Sequence, residues 1–313
     1  MDFVRIPPYT GTCKRKFAKG KVFRKARENT SKKMALLHVN NLKKVYSTRL
    51  GGAQVQALSG VNFTVEQGEF VAIMGESGSG KTTLLNILAG LDKPTGGEVF
   101  LNMRNIVTLG EREISAFRRD NLGFVFQDFN LLDTFSVQDN IFLPLVLAGK
   151  RYPEMSERLE PIAGKLGIKD ILQKFPYEIS GGQKQRTAIA RAIITQPQLI
   201  LADEPTGSLD SRSAGQIMEI FSGINRDGQT ILMVTHSTQA ASCAGRVLFI
   251  KDGQVFHQIY RGTMSNDEMY QKISDTLTVI ATGTGNGVGN SAGNGTSGNS
   301  TNCNSASTVE VRS

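Results

Sequence analysis

The residues best suited to chemistry lie at positions 75–82, where GESGSGKT supplies Gly, four free positions, Gly, Lys and a hydroxyl residue. That spacing is a template for holding phosphate. Gly75, Gly78 and Gly80 stand where the chain must turn tightly, and their missing side chains let backbone N–H groups aim inward at phosphate oxygens. The binding stretch is expected to run through Gly75, Glu76, Ser77, Gly78, Ser79, Gly80, Lys81, Thr82 and Thr83. Lys81 would neutralise the β- and γ-phosphates, and the Thr82 hydroxyl would ligate Mg²⁺. FVAIM before the loop is a short apolar run of buried-strand type, and TTLLNILAGL after Lys81 has helical spacing. The positive end of that helix adds to the same spot. A nucleoside triphosphate is the expected ligand; a Gly-rich turn with an incidental Lys is the plainer alternative.

Two further stretches carry candidate chemistry. LILADE, from Leu199, reads as a buried strand whose carboxyl end presents Asp203 and Glu204, the edge where ligands sit in open α/β sheets. Alternation along a strand gives the two acids different faces and therefore different jobs. Asp203 is assigned to Mg²⁺, and Glu204 to the water that attacks the γ-phosphate. ISGGQKQR, at 179–186, opens a helix: Ser180 is a natural N-cap, and Gly181 and Gly182 expose N–H groups. It is a second anion site by the same logic, which suggests one nucleotide clamped by two copies of the chain. An ordinary capped helix with a glycine turn stays open as the alternative.

The elements that must position these residues follow from periodicity. Strand-like stretches LLHV, VQALSGVNFTV and EFVAIM come first, helix-patterned stretches fill roughly 111–194 with breaks at Pro144, Pro153, Pro161 and Pro176, and strands return at LILA and TILMVTH. Strands alternating with helices imply a parallel sheet with crossover helices. RVLFI and QVFHQI around Asp252 and Gly253 read as a closing hairpin, and a polar helix is expected from Ser265 to about Leu277.

The chain of 313 residues has 39% hydrophobic content, enough for a proper core, and no apolar run of the 18 or more residues a spanning helix needs. Cys13, Cys243 and Cys303 fit neither a disulfide framework nor a zinc site, and a reducing compartment suits them. The net charge of +8 is local, because residues 1–34 carry eleven Lys/Arg and two Asp/Glu, leaving the rest at −1. That arm lacks apolar periodicity and an apolar signal-peptide core, and is expected to be disordered. Its charge would attract anionic lipid or RNA, unless Met34 is the true start. Residues 282–313, nearly all Gly, Asn, Ser, Thr or Ala up to Ser307, are expected to form a disordered tether.

The order of motifs resembles the ATP-binding cassette (ABC) of ABC transporters, over about residues 36–260. GESGSGKTT is similar to its Walker A loop, ISGGQ (with Gln183) to its signature motif and LILADE to its Walker B strand. Gln127 in FVFQDFN resembles the Q-loop glutamine, Asp210 in SLD the D-loop aspartate, His236 in MVTHS the switch histidine, and Tyr46 the aromatic residue that stacks on adenine. The resemblance implies an α/β P-loop NTPase with a RecA-like parallel sheet core, an antiparallel β subdomain and an ABC-specific helical subdomain at about 123–195. The cassette would span 35–262, followed by a C-terminal helix at 263–281. It implies ATP and Mg²⁺, the latter held by Thr82, Gln127 and Asp203, with Glu204, His236, Gln127 and Lys81 as catalytic residues. Two copies would close head to tail on two ATP molecules at the cytoplasmic face of the membrane.

NLLDTFSVQDNIFLPL, LADEPTGSLDS and AASCAGRVLFIKDGQV are similar to the MacB/lipoprotein-release group, and within it to the bacitracin-resistance (Bce-type) ATPases. That likeness implies a separate membrane permease, a role with peptide antibiotics, and a sensor kinase reached through the permease. The alternatives are a lipoprotein-release or cell-division ATPase, or a soluble ABC ATPase acting on ribosomes or nucleic acid. The last is disfavoured, because such proteins usually carry two cassettes and only one phosphate loop and one ISGGQ stand here.

Overall fold

A computed structural model of the chain describes residues 35–47 and 54–282. The expectations of a disordered arm at 1–34 and of a disordered tail, from residue 283 on, fall outside the described residues.

Two sheets divide the work. Strands β1 (Ala35–Ser47), β2 (Gln54–Glu66), β4 (Gly96–Leu101) and β5 (Arg104–Asn105) form an antiparallel sheet in the order β2-β1-β4-β5. The second sheet comprises β3 (Phe70–Met74), β6 (Leu122–Val125), β7 (Leu199–Asp203), β8 (Thr230–Val234), β9 (Arg246–Lys251) and β10 (Gln254–Tyr260). Its order is β10-β9-β3-β8-β7-β6, parallel throughout except for the β9–β10 hairpin. Helices α1 (Lys81–Leu88), α2 (Glu111–Asn121), α3 (Val137–Leu147), α4 (Tyr152–Leu166), α5 (Gly181–Ile193), α6 (Ser211–Arg226), α7 (Thr238–Ala241) and α8 (Asn266–Thr282) complete the chain. None of the described helices is long and apolar enough to cross a membrane.

The continuous apolar runs in β3, β7 and β8 are explained by burial on both faces. Phe70, Ala72 and Met74 point into one core cluster while Val71 and Ile73 point into the other, and in β8 Ile231 and Met233 oppose Leu232 and Val234 in the same way. A strand exposed on one face would alternate with polar residues; these do not.

Three local expectations are corrected. Pro144 and Pro161, expected to break helices, lie inside α3 and α4, and only Pro153, at the start of α4, and Pro176, opening a 3₁₀ turn, stand where a helix tolerates them. An interior proline costs about 3 kcal/mol. Met155, Leu159, Ala163 and Leu166 on α4 are all buried in one core, and at about 1.5–3 kcal/mol for each large side chain their burial outweighs that cost. The start of the stretch expected to be helical from 123 lies instead in β6, because Gly123, Phe124 and Val125 pair with Ile200, Leu201 and Ala202 of β7. The C-terminal helix, expected at 263–281 and read as polar, spans Asn266–Thr282 and is tied to the same core by the buried Met269, Ile273 and Ile280.

Candidate active site

The parallel strands β3, β8, β7 and β6 are consecutive neighbours, so their carboxyl ends lie along one sheet edge. Each of these ends delivers a site residue: the loop from Gly75 after β3, His236 after β8, Asp203 and Glu204 at the end of β7, and Gln127 after β6. Residues far apart in sequence are thereby collected on one edge.

In the phosphate loop Gly80 has φ of 100°, and a Cβ there would lie 2.3 Å from the Ala57 carbonyl oxygen. At Gly75 the obstacle is proximity, since a Cβ would meet the Ile250 carbonyl oxygen at 2.2 Å. Both positions require glycine. Helix α1 begins at Lys81 with no side-chain cap and no acid in its first turn, which leaves its N–H groups and positive end for an anion. Lys81 Nζ donates to the carbonyl oxygens of Gly75 (2.9 Å) and Glu76 (2.8 Å), folding over the loop. Burial lowers its pKa, against the attraction of Glu204 and Asp203.

Asp203 and Glu204 do differ, but not through strand alternation. β7 stops at Asp203 and Glu204 adopts a left-handed φ of 46°, with its N–H bonded to the Val234 carbonyl at 2.9 Å. Alternation applies only to extended backbone, so the turn is what separates the two carboxyls. Asp203 is pushed up by burial and by the neighbouring Glu204, with Lys81 opposing. The Glu204 carboxylate is gripped by one residue twice: His236 Nδ1 lies 2.8 Å from Oε1, and the His236 N–H donates to Oε2 at 3.2 Å. An ionised carboxylate only accepts, so the bridging proton is assigned to Nδ1. Gln127 rests against Gly207, where a Cβ would come within 3.0 Å of its Cδ.

Tyr46 is held in place by residues that sequence reasoning missed. Its hydroxyl donates to Asp92 Oδ2 at 2.8 Å and lies 3.5 Å from Thr83 Oγ1 in the first turn of α1. Lys44 Nζ bonds Asp92 Oδ1 at 2.6 Å and sits 4.7 Å from the centre of the Tyr46 ring. In sequence Asp92 belongs to an unremarkable polar turn, LDKPTGG, and Lys44 to a mixed strand; neither carries a signal. Gly207 is equally silent.

The signature stretch packs against the start of α6 and, through Gly181, near the Phe129 ring in the loop after Gln127. Ser180 caps α5 in a reciprocal box: Ser180 N–H donates to Gln183 Oε1 at 2.9 Å and Gln183 N–H to Ser180 Oγ at 3.4 Å. A Cβ on Gly181 would meet Leu209, and one on Gly182 would meet Ser213, each at 3.4 Å. Asp210 caps α6 by accepting from the Ser213 N–H at 2.9 Å, and the Ser213 side chain first, then that N–H, hold its carboxyl below the ordinary range. These groups attend to one another and to the start of α6.

Among the described residues there is no cluster of three or more His, Cys, Asp or Glu side chains able to cage a metal. The hard-oxygen set Thr82, Gln127 and Asp203 still fits Mg²⁺, which is commonly bound by one or two protein oxygens together with phosphates. Burial and the neighbouring Glu204 push Asp203 toward its neutral form, a tendency that a bound cation would oppose.

A phosphate loop feeding an uncapped helix, with an acid pair and a histidine at the same sheet edge, defines a P-loop nucleoside triphosphatase. The family model for ABC transporters matches residues 58–207. An uncharacterised ABC transporter ATP-binding protein of Bacillus subtilis, YvcR, is 53% identical over 248 residues, 79% of this chain and 95% of the relative. The bacitracin export ATP-binding protein BceA of Halalkalibacterium halodurans is 46% identical over 79% of this chain and 97% of its own length. Among solved structures, a dimeric post-hydrolysis state of the ATP-binding cassette MJ0796, bound to ADP and Pi, matches with 38% identity and a TM-score of 0.66 over 72% of this chain and 98% of that one. The chain belongs to the ATP-binding subunits of the ABC transporter family and is an ATPase.

Proposed function

We propose that this chain powers a separate integral membrane permease from its cytoplasmic face, that two copies enclose two ATP molecules, and that the system exports, resists or senses peptide antibiotics of the bacitracin kind. The observation that carries the shared site is the division of anion-binding groups within one chain. Lys81, at the uncapped start of α1, feels Asp203 and Glu204, whereas the second helix start is capped by Ser180 with Gln183 and has Gly181 and Gly182 against Leu209 and Ser213. A head-to-tail pair would let the second group meet the phosphates held by the first. The dimeric MJ0796 cassette supports that arrangement, and the name of BceA supports the bacitracin reading. A relay through the permease to a sensor kinase belongs to the same reading.

Chemically, Lys81 and the α1 N–H groups would fix the β- and γ-phosphates. Glu204 would accept the proton of the attacking water, with His236 orienting its carboxylate. Mg²⁺, held by Thr82, Asp203 and Gln127, would offset the charge of the phosphates. Tyr46 would offer its ring to adenine. Permease docking is supported by an apolar groove of about 470 Å³ beside Gln127, lined by Leu91, Phe124, Phe126, Leu143 and Leu147. Leu91 and Leu147 are 55% and 67% exposed, an unusual expense of apolar surface for a chain with no partner.

Glu204→Gln should keep ATP binding, lose about 10²- to 10⁴-fold in turnover and accumulate an ATP-dependent dimer in sedimentation. A purely monomeric species with ATP and Mg²⁺ would refute the shared site. Wild-type chain expressed with its permease should raise the bacitracin concentration that cells survive; an unchanged threshold would remove the antibiotic role while leaving the ATPase intact.

A further inference from the structure

Gln185 lies two residues beyond the signature box on α5 and is completely buried. A buried amide in a helix facing apolar neighbours costs stability unless it is bonded, so its partners indicate what it is kept for. Its Nε2 donates to the carbonyl oxygen of Pro205 at 2.6 Å and reaches that of Phe126 at 3.4 Å. Pro205 directly follows Glu204, and Phe126 directly precedes Gln127. One side chain therefore touches the backbone of both loops that carry chemistry while riding on the helix whose first turn holds Ser180 and Gly182. Its Oε1 finds no donor among the described residues, so the amide is anchored through its nitrogen alone.

A second residue of the same helix adds two bonds to the attachment. Arg191 donates from its two terminal nitrogens to the Asn130 carbonyl at 2.6 Å and to the Phe129 carbonyl at 2.8 Å. Phe129 and Asn130 both have left-handed backbone, with φ of 61° and 48°, so this stretch of loop is held in a conformation it would not keep alone. Helix α5 thus grips the loop on both sides of Gln127. Gln185 alone also reaches the turn after Glu204.

We propose that Gln185 is a positioning residue that sets the angle of the signature helix against the Gln127 loop and the Glu204 turn, so that a displacement of that loop re-aims Ser180 and Gly182 and shifts the catalytic turn with them. Among the described residues its hydrogen bonds go to Phe126 and Pro205, and none goes to the phosphate loop, Lys81 or Tyr46. Its loss is expected to impair assembly of the hydrolytic site and to spare nucleotide capture. The inference rests on the shared-site reading for the role of Ser180, and on the ATPase chemistry alone for the role of Glu204.

The test compares Gln185→Met, which keeps length and removes the donor, with Gln185→Glu, which when buried and protonated retains one donor for Pro205. The Met variant should lower kcat at least tenfold with affinity for a fluorescent ATP analogue within about twofold of wild type, and the Glu variant should recover part of kcat. In a Glu204→Gln background, Gln185→Met should weaken the ATP-dependent dimer about tenfold. Unchanged kcat, or kcat and ATP affinity lost together, would overturn the proposal. A Glu204→Gln protein that dimerises equally well with and without Gln185 would overturn its link to the signature helix. If Glu204→Gln alone fails to dimerise, the shared site falls, and the split between kcat and affinity still decides the role of Gln185 at the Glu204 turn. Should Gln185→Met not fold, Gln185→Asn, whose amide is one carbon too short, is read by the same measurements.

Discussion

Lys81 bonds two loop carbonyls and feels two carboxyls, so its ammonium is positioned before any phosphate arrives. Such preorganisation means little is spent on arranging the side chain when nucleotide binds. Replacing Lys81 by Ala removes a charge-assisted phosphate contact of about 1.5–3 kcal/mol, or roughly 10- to 150-fold in affinity. Titration with a fluorescent ATP analogue should show that loss, and unchanged affinity would contradict the role. Glu204 and His236 show the same logic. A left-handed turn at one residue and two contacts from another hold a carboxylate that a strand alone would leave free to rotate.

At the scale of elements, Tyr46, the platform proposed for adenine, is seated by two neighbours on separate segments. Burial by itself pushes the Asp92 carboxyl up, but bonds from Lys44, Tyr46 and the Lys93 N–H outweigh it, and the net pKa is lowered. A lowered folded-state value means that this stabilisation is complete above the ordinary carboxylate pKa of about 4 and is lost only as pH falls through the folded value. The platform should therefore be insensitive to pH near neutrality. Asp92→Asn should free Tyr46 and raise the Kd for ATP severalfold, on the order of 1 kcal/mol for one hydrogen bond, while kcat at saturating ATP stays near wild type. Equal Kd for both proteins would argue against a positioning role. Of these elements, the strand–loop–helix of 70–88 and the Ser180 cap were readable, because their signals are local glycines, a lysine and a capping pair. Pro144 and Pro161 misled, because local breaking rules say nothing about the apolar face a helix buries.

At the scale of the whole molecule, α8 was expected as a helix, but its burial against the core was not. A capping box between Ser265 and Glu268 starts it, with the Ser265 N–H donating to Glu268 at 2.7 Å. Met269 and Ile273 are fully buried, and near its end Ile280 accepts a hydrogen bond from Lys251 at 3.2 Å. Leu277 and Ile280 line a cavity of about 340 Å³ with Gly75 and Ser79, so the helix walls the outer side of the phosphate loop. Ile273→Ala should cost about 2–5 kcal/mol of stability in denaturant unfolding. A loss below 1 kcal/mol would mean that α8 detaches easily from the core.

Residue type and spacing by themselves determined the phosphate loop, the acid pair, the signature cap, the parallel-sheet class and the likeness to the ABC family, because each is written in a short contiguous stretch. Strand order, the grip of His236 on Glu204, the seating of Tyr46 by Asp92 and Lys44, and the burial of α8 were decided only by tertiary structure. Those relations join residues from about 30 to 200 positions apart, and side-chain periodicity encodes which face is buried without encoding which partner buries it.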